Sequence, residues 1–195
     1  RFGMSLKQTV LSPTTRIKVM SYNVGHYSYG VGAGLPADIY DEKLINWRRF
    51  FGEEAPEIVG VQEYNSRMDA EEQVWSDDVL WNYFYPYTER TGMQTALKTK
   101  MPLTDSRHAQ LSTGKYYSEG WVGGIYVLSV HLTVGTQHTQ TRLDEANEII
   151  STLLAGKDKF IMFGDFNPEP GEEDELFKKF TDEGYNIANG GWFGK

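Results

Sequence analysis

Asp165 and Asn167 follow four consecutive apolar residues, Phe160-Ile161-Met162-Phe163. Such a run reads as a fully buried strand, and Gly164 and Pro168 turn the chain behind it. Side chains alternate along extended backbone, so the carboxylate and the amide leave the strand end on one face. A buried strand end is a poor place for a solvated acid, which points to a site; the competing reading is an Asx-type turn that closes the strand. Three other strand-like runs end in similar chemistry: residues 16–24 carry Asn23, residues 58–63 carry Glu63, and residues 124–132 carry His131. In layered α/β proteins ligands collect outside strand ends, so these side chains can converge there. Two carboxylates and two amide oxygens are hard donors suited to Mg²⁺ or Mn²⁺, which need few protein ligands when phosphate and water supply the rest. The imidazole of His131 would then donate to a phosphoryl oxygen or to a leaving group.

Each residue also has a plainer reading. His131 alone reads as a satisfied core histidine, Glu63 as half of an arginine pair, and Asn23 as a loop cap. His26 and His108 read as surface or loop residues. Zinc is the weaker metal, because His131 and His138 are seven apart on strand and loop rather than four apart on a helix. There is no Gly-x-x-x-x-Gly-Lys-Ser/Thr loop, Gly-x-Ser-x-Gly elbow or Gly-x-Gly-x-x-Gly fingerprint. Nucleotide-triphosphate switching, serine hydrolysis and dinucleotide binding therefore lack support.

The elements that must position these residues alternate along the chain. Residues 1–15 read as a polar arm. In the strand 16–24, Ile17, Val19, Ser21 and Asn23 share a face, and a glycine-rich aromatic loop follows at 25–34. Asp41 is a plausible N-cap for a helix through Phe51, with Gly52 as its stop. In the strand 58–63, Val59, Val61 and Glu63 share a face. Residues 64–91, rich in acids and aromatics, read as a helix and an irregular segment covering the sheet. A short strand lies in 94–103, and 104–120 read as polar and turn-rich. In the strand 124–132, Ile125, Val127, Ser129 and His131 share a face. After a polar loop at 133–141, a helix runs from Arg142 to Ala155 with Leu143, Ala146, Ile150 and Leu153 on one stripe and Gly156 at C′. A last short helix carries Leu176, Phe177 and Phe180.

A chain of 195 residues with 39% hydrophobic and 24% charged residues fits one soluble globular domain, 1–195, long enough to bury about 70% of its unfolded surface. No apolar run approaches the roughly 20 residues needed to cross a bilayer, and no signal-peptide core is visible in this chain. The compartment, cytoplasmic or secreted, stays open. With no cysteine, disulfides and thiolate metal sites are excluded. A net charge of −8 argues against a broad phosphate-tracking surface. Arg48/Arg49 and Lys98/Lys100 are the only modest basic candidates.

Met20-Ser21-Tyr22-Asn23, Val61-Gln62-Glu63, Ser129-Val130-His131-Leu132 and Gly164-Asp165-Phe166-Asn167 occur in that order. Together they resemble the successive motifs of the endonuclease/exonuclease/phosphatase superfamily, with its deoxyribonuclease-I-like fold. The resemblance covers residues 16–170 and implies an α/β (α+β) protein: a four-layer α/β/β/α sandwich of two packed mixed sheets with the site at one end. It implies Glu63 as the main metal ligand, with Asn23 beside it on metal or phosphate. Asp165 would bind the metal and orient or deprotonate the attacking water. Asn167 would position that water or a phosphoryl oxygen, and His131 would stabilise the phosphoryl group or leaving oxygen. Arg142 resembles an arginine that serves as a structural tie. The family's late Ser-Asp-His motif is missing from this sequence, and the Gly-rich end and non-Met start favour a chain lacking its C-terminal strands.

The function expected is metal-dependent phosphoester hydrolysis by in-line attack of water, with Mg²⁺ or Mn²⁺. Within it, the acidic balance and aromatic loops favour a small-molecule or lipid-like phosphoester over nucleic acid. The alternatives are a nuclease or DNA-repair endonuclease on the same scaffold, and a non-catalytic phosphate- or partner-binding domain if the chain ends at Lys195.

Overall fold

The computed structural model describes residues 16–23, 49–50, 52–64, 82–84 and 94–188. The expected arm at 1–15, the glycine-rich loop at 25–34, most of the 41–51 helix and most of 64–91 lie outside these residues. Among the described residues the strands are β1 (Val19–Asn23), β2 (Ile58–Tyr64), β3 (Asn82–Phe84), β4 (Gln94–Thr99), β5 (Leu103–Gln110), β6 (Tyr116–Val122), β7 (Ile125–His131) and β8 (Phe160–Asp165). The helices are α1 (Thr139–Glu148) and α2 (Glu173–Asp182). Residues 49, 50 and 52–54 are also helical, so the helix continues past Gly52.

The strands form two mixed four-stranded sheets, ordered β1-β2-β4-β3 and β5-β6-β7-β8. β1 runs parallel to β2, and β7 runs parallel to β8; the other pairs are antiparallel. A parallel pair needs a crossover, and α1 supplies the one from β7 to β8. Alternation along β7 then separates two cores. Tyr126, Leu128 and Val130 pack with Leu143, Ala146 and Ile149 beyond α1 and with Leu176 and Phe180 of α2. Val127 faces the other way, into an inter-sheet core with Ile58, Leu97, Val122 and Phe163. On the far side of the first sheet the Tyr22 ring meets Phe50, centroids 5.3 Å apart. The architecture is the four-layer α/β/β/α sandwich expected.

The sheets come closest where β2 crosses β8. A Cβ on Gly60 would lie 2.1 Å from the Phe163 Cβ, so only glycine fits there. Beside this contact runs a buried polar seam. Gln62, 1% exposed, donates through Nε2 to Ser129 Oγ at 3.2 Å, and Ser129 Oγ donates to the Val61 carbonyl at 3.1 Å. Further along, Ser118 Oγ donates to the Thr95 carbonyl at 2.8 Å and pairs with His108 Nδ1 at 3.0 Å.

Two readings of the sequence are corrected here. Residues 104–120 are mostly strand, β5 and β6, and His108 is a strand residue rather than a loop residue. Its buried Nε2 has no partner among the described residues. The second helix begins at Thr139, three residues before Arg142. It ends in a π-turn over Ile149–Leu153, so the polar loop is shorter than expected. Arg142 is 1% exposed; it pairs with Glu172 through Nε and Nη2 and donates from Nη1 to the Thr133 and Gly135 carbonyls. It ties the loop after β7 to the start of α2.

Burial without a second partner pushes His108 down to about 4. The unfolded chain therefore binds a proton near pH 6.5 that the folded chain refuses, and stability is complete above pH 6.5 and falls as pH drops toward 4. Urea melts of wild type and His108→Gln at pH 7.5 and 5 should show wild type losing more stability across that interval. Equal losses would remove His108 as the cause.

Candidate active site

Asn23, Glu63, His131 and Asp165 lie at the same end of the sandwich, on four strands from both sheets. Asn23 Nδ2 donates to Glu63 Oε1 at 3.0 Å and to Asp165 Oδ2 at 2.8 Å. One amide thus joins two carboxylates that are 40 and 142 residues away in sequence. β1 makes this possible because Ser21 and Asn23 point toward the second sheet, whereas Tyr22 points to the outer helix.

Glu63 reaches this position against the strand's alternation. Ile58, Gly60 and Gln62 face the second sheet, so a regular β2 would turn Glu63 outward with Val59 and Val61. The β2–β4 register slips between Val61 and Tyr64, and Glu63 takes φ 56°. A bulge at a strand end re-aims one side chain, and a non-glycine residue in the left-handed region carries local strain. The face predicted from the sequence, Val59-Val61-Glu63, is therefore broken at its last member.

Asp165 closes a turn and serves the cluster at once. Its Oδ1 accepts the Asn167 backbone N–H at 3.1 Å, which is the Asx-type bond, and its Oδ2 accepts from Asn23. The turn-closing reading is observed on one oxygen, and the other oxygen faces the Asn23 cluster. Asn167 sits at φ 45°, a conformation asparagine tolerates. Its Nδ2 donates to the Leu132 carbonyl at 2.9 Å, which pins the ends of β7 and β8 together. Its Oδ1 and second N–H are what it can offer a ligand.

His131 is 4% exposed and pairs in register with Asp165. Its buried Nδ1 has no hydrogen-bond partner among the described residues, so it is not a satisfied core histidine. Burial lowers its pKa most and the charge of Lys115 adds to that, while the carboxylates of Asp165, Glu63 and Glu145 pull the other way. The ring is neutral at pH 7 in this state.

The donor set fits a hard divalent cation held by few protein ligands. Glu63 and Asp165 offer carboxylate oxygens within reach of one amide, and neither carboxylate pairs with a lysine or arginine among the described residues. No group of three or more His, Cys, Asp or Glu placed to hold a metal ion occurs among those residues. Lys98 is 1% exposed, so it belongs to the interior and not to a basic surface. Among the described residues no helix is long and apolar enough to cross a membrane.

No protein-family model and no curated protein matches the chain. Solved structures do. ANGEL2, described as a 2′,3′-cyclic phosphatase, superposes at TM-score 0.65 with 18% identity over 83% of this chain and 56% of that one. The human Nocturnin catalytic domain with bound sulfate anion superposes at 0.62, with 22% identity over 85% and 69%. D. rerio TDP2 complexed with a single strand DNA product superposes at 0.60, with 15% identity over 83% and 64%. The chain spans between 48% and 66% of the TDP2 chains it matches. These are proteins of the endonuclease/exonuclease/phosphatase superfamily, and this chain has their deoxyribonuclease-I-like fold. The preference for a small-molecule or lipid-like phosphoester over nucleic acid is overturned, since TDP2 carries a DNA product on the same scaffold. Net charge sums the whole surface, whereas a phosphate is met by the local field of a cleft.

Proposed function

We propose that this chain, with its deoxyribonuclease-I-like fold, is a divalent-metal-dependent phosphoesterase that hydrolyses a nucleic-acid or nucleotide phosphoester by in-line attack of water. The observation that carries the reading is the Asn23 amide donating to both Glu63 and Asp165. Among the described residues no lysine or arginine pairs with these two part-buried carboxylates, and like charges so close are costly unless a cation or proton resolves them. Neighbours that act on a 2′,3′-cyclic phosphate and hold a DNA product support the substrate class.

In this mechanism Glu63 and Asp165, with Asn23 beside them, would hold Mg²⁺ or Mn²⁺. When bound, the cation would supply charge neutralisation on the phosphoryl oxygens. Asp165, its carboxylate fixed by Asn23 and by the Asn167 backbone, orients the attacking water and takes its proton. Asn167 offers its remaining amide groups to a phosphoryl oxygen. Neutral His131 donates one ring N–H toward the phosphoryl group or leaving oxygen.

A second reading, phosphate binding without turnover, draws on one observation: His131 Nδ1 has no carboxylate partner among the described residues. A 5′-labelled single-stranded oligonucleotide incubated with Mg²⁺ separates the two. Cleavage that EDTA abolishes, and that Asp165→Asn slows by about 100-fold or more, supports the phosphoesterase. Binding with no cleavage under any divalent metal would leave the second reading.

A further inference from the structure

The row of residues at the site's edge continues past His131. Tyr117 pairs with Val130, which sets Tyr116 beside His131 one step further along, and Gln110 pairs with Tyr116. Tyr117 buries against the helices. Alternation therefore turns Tyr116 to the opposite face, the one that His131 and Asp165 occupy. Adjacent strands lie about 4.8 Å apart, so Tyr116 stands one such step from His131 across the sheet.

Tyr116 is built as a flat support. The His108 ring stacks on it at 4.9 Å with planes 13° apart. His108 is in turn fixed by the Ser118 hydroxyl, and its depressed pKa keeps that backing ring neutral. Tyr116 is half-buried, and its hydroxyl makes no hydrogen bond among the described residues. The adjacent Lys115 pairs with no acid there, and its charge is felt at His131. The hairpin that carries both is held firmly. The Leu111 N–H donates to the Lys115 carbonyl, Glu148 accepts from the Ser112 N–H and hydroxyl, and buried Glu145 accepts from the Thr113 hydroxyl at 2.7 Å. A support fixed in this way loses little entropy when a ligand settles on it.

We propose that Tyr116, backed by His108, is a stacking subsite for a base of single-stranded nucleic acid next to the phosphate at His131. An aromatic face takes any unpaired base; in a duplex those base faces are covered by their neighbours. The inference deepens the phosphoesterase reading and rests on it for the phosphate's place, but base binding can be measured without turnover.

The test is fluorescence anisotropy with a labelled single strand of about eight nucleotides, set against an abasic strand of the same length and charge. Tyr116→Ala should weaken binding of the base-bearing strand by about tenfold, and the loss should fall below twofold on the abasic strand. Tyr116→Leu, which retains apolar bulk, should behave like Tyr116→Ala, and Tyr116→Phe should bind like wild type. Equal losses on both strands, or no loss on either, overturn the subsite. Base-dependent binding without metal-dependent cleavage supports the subsite while removing the phosphoesterase reading. Cleavage by wild type with binding indifferent to residue 116 removes the subsite alone.

Discussion

Glu63→Gln should lower metal-dependent phosphoester hydrolysis by about 10³-fold while leaving the protein folded. The substitution conserves shape and retains an oxygen to accept the Asn23 amide bond now made at 3.0 Å. It removes only the charge. A cation held by two carboxylates loses half of its protein charge, and the phosphoryl oxygens lose the neutralisation that the cation provides. Because Asn23 also holds Asp165, that carboxylate should stay in place, so the loss reports charge and not collapse of the cluster. Turnover measured across a Mg²⁺ titration separates weakened metal binding, which excess metal rescues, from a lost transition-state contribution, which it does not. Activity within tenfold of wild type at saturating Mg²⁺ would remove Glu63 from the proposed metal site.

Gly60→Ala should destabilise the fold by about 3 kcal/mol or more, at the upper end of overpacking costs. The added methyl would meet the Phe163 Cβ at 2.1 Å and its Cγ at 2.3 Å. The Phe163 Cβ is fixed by its own backbone, so no rotamer change relieves the 2.1 Å overlap and the sheets must separate. The inter-sheet core around Ile58, Val127 and Phe163 would then open. Urea denaturation followed by tryptophan fluorescence measures the loss; a change below 1 kcal/mol would show that the sheets can slide apart at little cost.

Much of this was legible before the structure, and for a physical reason. Continuous apolar runs read as strands, so β2, β7 and β8 stand out, and a polar residue at the end of each is conspicuous; the run 160–163 is less buried than expected, with Phe163 buried and Phe160, Ile161 and Met162 half-buried. Glu63, His131 and Asp165 stand out in this way, and Asn23 stands at the end of the more mixed β1; Asn23 bonds both carboxylates, and His131 pairs in register with Asp165. The runs that were missed have different burial. β5 alternates exposed and half-buried positions with few apolar side chains, and β6 fills its inward positions with Ser118 and Gly120. Neither strand carries a clear alternation of its own, and the Gly123-Gly124 hairpin that joins β6 to β7, a local signal, went unread. The same blindness hid Tyr116 and misplaced His108. The aim of Glu63 was also beyond periodicity, because a bulge is an exception to the alternation from which faces are read. The start of α1 was placed late, since Thr139 has no side-chain cap to announce it.

The single amide that joins Glu63 to Asp165 has a bearing on when this protein becomes competent during its synthesis. Asn23 and Glu63 leave the ribosome before His131 and Asp165, which follow Glu63 by 68 and 102 residues. Contacts of such long range form late, after the segments between them have been closed into loops. A growing chain with its first sheet complete carries Asn23 and one carboxylate but no second acid and no imidazole. The hydrolysis proposed above would therefore wait for the stacking of the two sheets, and the nascent polypeptide would be inert toward the nucleic acid around it until that step is done.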